Sequence, residues 1–143
     1  FDDYSMAGRT YRYYRGRPLY PFGHGISYTC FDYGELTTTR TDDAVEVSFD
    51  VKNIGDRAGD EVAQIYARDP LSGPDDRSPI RELVGFQRIF LKQGETRRIE
   101  ARLPISRLLA VSAERGASGA SRRIDLLVGA SSEDIRVSSV IDL

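Results

Sequence analysis

Tryptophan is absent from this chain, and cysteine, histidine and methionine occur once each. Cys30 alone leaves no internal disulfide and no multi-cysteine metal site. With one cysteine, one histidine and no ligand spacing, no metal and no cofactor are expected. His24 and Cys30 lie six residues apart, but nothing supplies the third, orienting group that nucleophilic catalysis needs. Basic charge is not in excess: the formal net charge is −2, so neither nucleic acid nor an anionic membrane surface is an expected partner. No apolar run approaches the roughly 20 residues that span a bilayer. There is no G-x-x-x-x-G-K phosphate loop and no internal repeat. The chain starts at Phe1 without a methionine or a signal-peptide pattern, the expectation for an excised fragment or a processed product. Cytoplasm, periplasm and export are all compatible with this composition.

Aromatic residues, by contrast, are concentrated. Ten of the fourteen fall in residues 1–33, and the run GRTYRYYRGRPLYPFGHGISY (8–28) interleaves tyrosines with arginines. Pro18 and Pro21 fix their own φ and push Arg17 and Tyr20 towards extended conformations, which argues against a long helix. Gly23 and Gly25 flank His24 and allow a sharp turn. Burying one such ring stabilises by roughly 1.5–3 kcal/mol, so this segment is expected to pack on something.

Strand patterns dominate the rest. Residues 29–39 read as a first strand, broken at Gly34. Residues 45–52, VEVSFDVK, alternate cleanly, with Val45, Val47, Phe49 and Val51 on one face. Further strands are expected at 62–68, 83–91, 97–103, 122–128 and 135–142. Residues 69–81 form a long Pro-rich loop, and Ser106 to Leu109 a single helical turn. About seven short strands with regular turns indicate an all-β, antiparallel, immunoglobulin-like sandwich. Without a cysteine pair or tryptophan it is no antibody-type domain.

The run from Gly8 to Tyr28, then VSFDVKNIGDRAGDEVAQIYARD (47–69), ELVGFQRIFLKQGET (82–96) and LLVGASSEDIR (126–136), resembles the carboxy-terminal part of glycoside hydrolase family 3 enzymes. These include β-glucosidases and β-xylosidases. The resemblance implies a fibronectin type III-like β-sandwich over residues 28–143. It also implies that residues 1–27 are an aromatic-rich linker from the preceding catalytic region. The stretch 110–123 departs from the family, with no proline or aromatic and a run of small residues.

Retaining glycosidases need two carboxyl groups about 5–5.5 Å apart. In the family these belong to a barrel and an α/β sandwich that precede this part, so no catalytic role carries over to any residue here. The paired aspartates point to opposite faces of an extended chain and read as turn solubility. The resemblance therefore implies a non-catalytic accessory domain that braces the catalytic domains of its parent, with carbohydrate met only through that parent. Tyr11, Tyr13, Tyr14, Tyr20, Phe22 and His24 are the expected interdomain docking residues. Asp75, Asp76 and Arg77, in the long loop, are candidates for the active-site rim. A homodimer of the fragment is a further possible contact. The alternative reading is an autonomous carbohydrate-binding or protein-interaction module, since flat aromatics stack on sugar faces and such sandwiches often serve adhesion.

Overall fold

A computed structural model describes residues 10–14, 16–70, 80–112 and 123–143. Among these, eight strands and one helix follow in the order β1 (Phe31–Tyr33), β2 (Thr37–Arg40), β3 (Ala44–Asn53), β4 (Gly59–Arg68), β5 (Glu82–Leu91), β6 (Thr96–Pro104), α1 (Ile105–Ser112), β7 (Arg123–Gly129) and β8 (Ile135–Asp142). Two antiparallel sheets result. In the first, β3 pairs with β6 on one side and with β1 and β2 in succession on the other. The second has the order β5-β4-β7-β8. The expected first strand is two strands, because the chain breaks at Gly34, where a Cβ would sit 3.3 Å from that of Asp50.

The period-2 pattern of β3 is realised in full. Val45, Val47, Phe49 and Val51 are buried and stand opposite Leu103, Ala101, Ile99 and Arg97 of β6. Across the interior lie Ala63, Ile65 and Ala67 of β4 and Ile124, Leu126 and Val128 of β7. Tyr33 stacks on Phe49 with ring centroids 6.1 Å apart. Helix α1 runs twice as far as the single turn expected. Ile105, Leu108 and Val111 recur every three residues and turn one stripe to the core.

The second sheet has an unusual outer face. Gln64 and Tyr66 of β4 and Asp125 and Leu127 of β7 point away from the core, yet all four are buried. Asp125 pairs with Arg68 of β4, and a third layer covers Gln64 and Tyr66. It consists of the N-terminal segment, residues 80–83 and the β7–β8 turn.

Candidate functional site: the aromatic segment and the face it covers

Residues 10–14 form a turn in which the Tyr13 and Tyr14 amides donate to the Thr10 carbonyl at 2.9 and 2.8 Å. The turn is tied to the start of β5. The Ile80 amide donates to the Arg12 carbonyl, and the Leu83 amide donates to the Tyr11 hydroxyl at 3.2 Å. The Arg12 guanidinium meets the Glu82 carboxylate at 3.1 Å. Tyr11 then stacks face to face on Phe22, centroids 3.8 Å apart and planes inclined by 10°.

Residues 21–24 make the second anchor. The His24 amide donates to the Pro21 carbonyl, and Gly23 has φ of 79°, the conformation a type II turn needs at its third residue. The turn presents the Phe22 and Gly23 carbonyls to the sheet. Gln64 Nε2 donates to Gly23 at 2.9 Å and to Ala130 at 2.7 Å, while the Tyr66 hydroxyl donates to Gln64 Oε1 at 2.6 Å. The Ser132 amide donates to the Phe22 carbonyl at 2.9 Å. Arg81 reaches the Ser132 carbonyl from the other side. Burial holds the Tyr66 hydroxyl well above the ordinary phenol range, so it stays a neutral donor.

The expected docking residues therefore divide. Tyr11 is tied to β5 through its hydroxyl and stacks on Phe22, whose carbonyl meets the sheet side while its ring is 40 % exposed. Tyr13 is half-buried in the same turn. Tyr20 is 75 % exposed, with its ring 5.4 Å from that of the exposed His24, and Tyr14 is 45 % exposed with its ring folded over Gly16. Tyr11, Tyr14, Tyr20 and Phe22 border an open groove of about 350 Å³. Asp75, Asp76 and Arg77 lie outside the described residues. Cys30 is exposed and does not meet the His24 ring in any described contact.

Two further polar sites escaped sequence reasoning. Asn53, fully buried, accepts from the Thr29 hydroxyl at 2.8 Å and the Gly55 amide at 3.0 Å, and donates to the Arg57 and Leu91 carbonyls at 2.8 and 3.1 Å. It thereby closes the NIGDRAG turn, and the tightness of Gly55 against Thr29 leaves no room there for a Cβ. Glu61 sits inward at the end of the sandwich and accepts a 3.0 Å hydrogen bond from the Tyr33 hydroxyl. Burial raises the Glu61 carboxyl above its usual range, opposed by the Tyr33 bond and nearby Arg136. Burial, then the Glu61 charge, pushes the Tyr33 phenol far up. Arg136 is itself held by Asp134. Among the described residues, no group of three His, Cys, Asp or Glu side chains is placed to hold a metal ion.

An antiparallel two-sheet sandwich closed by a short helix defines the class. The family model of the fibronectin type III-like domain matches residues 61–132, just over half of the chain, and the chain belongs to that family. It is 42% identical over 96 residues to the thermostable β-glucosidase B of Acetivibrio thermocellus, covering 62% of this chain and 12% of that protein. To the xylan 1,4-β-xylosidase of Xylanibacter ruminicola it is 45% identical over 98 residues, covering 67% and 11%. Among solved structures, β-glucosidase 3B from Thermotoga neapolitana superposes with a TM-score of 0.77 at 30% identity, over 92% of this chain and 19% of that one. The β-glucosidase from Kluyveromyces marxianus gives 0.78 at 31%, over 93% and 17%. The chain thus spans about an eighth of the curated relatives it matches, and corresponds to the fibronectin type III-like part of glycoside hydrolase family 3 chains.

Proposed function

We propose that this chain works as a non-catalytic accessory domain of a longer glycoside hydrolase that cleaves β-linked glucosides or xylosides, and that it braces the catalytic domains of that polypeptide. The observation that carries the reading is its match to a small part of β-glucosidase and β-xylosidase chains, at 42% and 45% identity. The seam is formed by the part of the aromatic segment that its own sheet leaves outward: Tyr14, Tyr20 and His24, with Leu19 at 96 % exposure. Tyr11 and Tyr13 fix the segment's path, and the 40 % exposed ring of Phe22, stacked on Tyr11, adds to the outward surface. Residues 1–27 act as the linker between the catalytic region and the sandwich, and Asp75, Asp76 and Arg77 contribute to the active-site rim. Substituting Leu19→Ser together with Tyr20→Ser in the longer chain lowers its melting temperature, while the 143-residue chain melts unchanged. The pure 143-residue chain shows no turnover of aryl β-glucosides or β-xylosides; turnover that stays with it through purification overturns the reading.

The open groove bordered by Tyr11, Tyr14, Tyr20 and Phe22 favours one competing reading, a sugar-binding module, because rings around a cleft suit a pyranose face. Saturable binding of the chain to an insoluble glucan or xylan, abolished by Tyr14→Ala with Tyr20→Ala, would put that reading first.

A further inference from the structure

The third layer covers only the middle of the second sheet's outer face, and at the β8 edge Val140, opposite Asp125, is 58 % exposed. At Gln64 and Tyr66 the segment and the β7–β8 turn bury the face. On the β5 side it is bare. The register sets Phe86, Arg88 and Phe90 of β5 opposite Gln64, Val62 and Asp60 of β4, so these side chains share that face. Phe86 is 70 % exposed and Phe90 51 %, with Val62 half-exposed between them and Ile26 of the segment standing at the margin. A groove of about 520 Å³ is lined by Ile26, Val62, Leu83 and Phe86 and by the 3.2 Å Arg88–Asp60 pair.

Scattered single apolar residues on a surface need no explanation, but four adjoining ones beside a groove mark an interaction site. A sheet face that is roofed along its middle is, moreover, a face already used for layer packing. Nearly nine-tenths of the length of the β-glucosidase and β-xylosidase relatives lies outside the match to this chain. We infer that the bare β4–β5 half-face docks the catalytic part of the same polypeptide, and that the groove takes a large apolar side chain from it. The inference rests on the accessory-domain reading, but assigns the seam to a second surface. Inter-domain contacts of about 600–1,500 Å² are the usual size, and the segment's outward rings with this half-face extend the contact along one side of the molecule.

Hydroxyl-radical footprinting of the 143-residue chain and of the longer chain that carries it tests this. Ile26, Phe86 and Phe90 label readily in the chain alone and about fivefold or more slowly in the longer one, as side chains removed from solvent at an interface do. Equal labelling of Phe86 and Phe90 in both overturns the inference. If Tyr14, Leu19 and Tyr20 slow while Phe86 and Phe90 do not, the accessory reading stands and this inference falls; if neither set slows, both fall. Protection that grows with concentration in the chain alone assigns the face to a second copy and overturns the proposal. Phe86→Asp with Phe90→Asp provides an independent check, lowering the melting temperature of the longer chain while the isolated chain, where both rings already face water, keeps its own. An equal loss in both chains also counts against it.

Discussion

Glu61 is a carboxyl placed where its charge is costly. The fold raises its proton affinity above that of the unfolded chain, whose reference value is 4.5. The folded state therefore binds more protons than the unfolded state between 4.5 and the raised value. Stability falls as pH climbs through that window, and the loss persists above it. Glu61→Gln keeps an acceptor for the Tyr33 hydroxyl and removes the titration. In urea unfolding from about pH 4 to 8 the variant loses this downward contribution, and its advantage over the parent grows with pH; parallel curves would mean that Glu61 ionises in the fold as freely as in water. Asn53 is the opposite case, a buried polar group with its side-chain amide fully used. Asn53→Ala orphans the buried Leu91 carbonyl and removes the partners of the part-buried Arg57 carbonyl and Gly55 amide. At about 1–3 kcal/mol for a group left unsatisfied, with partial relaxation, the cost is about 2–4 kcal/mol in denaturant unfolding. A loss below about 1 kcal/mol would show that water enters and repairs the turn.

At the level of elements, β3 joins both halves of its sheet and gives the core four buried side chains, Val45, Val47, Phe49 and Val51. Phe49 is fully buried between Ile99 opposite it and the Tyr33 ring stacked on it. Phe49→Ala removes the ring and leaves a cavity that a β-sheet closes poorly, for a cost of about 3–5 kcal/mol by chemical denaturation. Strands of this kind were legible in the sequence because one side of β3 reads Val45, Val47, Phe49, Val51 without interruption. β4 was legible only from Val62, although it starts at Gly59. Glu61 occupies an inward position there, and a carboxylate breaks the apolar alternation that marks a strand. Only half of helix α1 is legible, since its stripe of Ile105, Leu108 and Val111 starts at the residue straight after β6. The aromatic segment was conspicuous, but its partner was not. Gln64 and Tyr66 alternate with Ala63, Ile65 and Ala67 as wet-face residues would, and only the three-dimensional register shows them roofed by Phe22 and Gly23.

On the scale of the whole molecule, the sandwich and its third layer are held by different physics. The sandwich is closed by apolar burial over many residues, which is cooperative. The layer is held by a few directed contacts: the Tyr11–Phe22 stack, the Arg12–Glu82 pair and the hydrogen bond from Gln64 to the Gly23 carbonyl, with Gln64 itself held by the Tyr66 hydroxyl. Units joined by few contacts open below the global unfolding free energy. Removing the polar latch should therefore separate the two. Gln64→Leu with Tyr66→Phe keeps side-chain bulk on the face but leaves the Gly23 and Ala130 carbonyls without their donor. Each lost bond is worth about 0.5–1.5 kcal/mol, so together they shift local opening by about one to two orders of magnitude. In hydrogen exchange, the Tyr13, Tyr14 and His24 amides of the double variant exchange faster by that factor, while those of residues 45–52 keep their rates. Acceleration of both sets together would show that the layer and the sandwich open as one unit. Selective acceleration would show that the outward rings of Tyr14 and Tyr20 are presented by a clip whose grip is set from β4, so that a change beneath the segment alters how the domain meets the rest of its polypeptide.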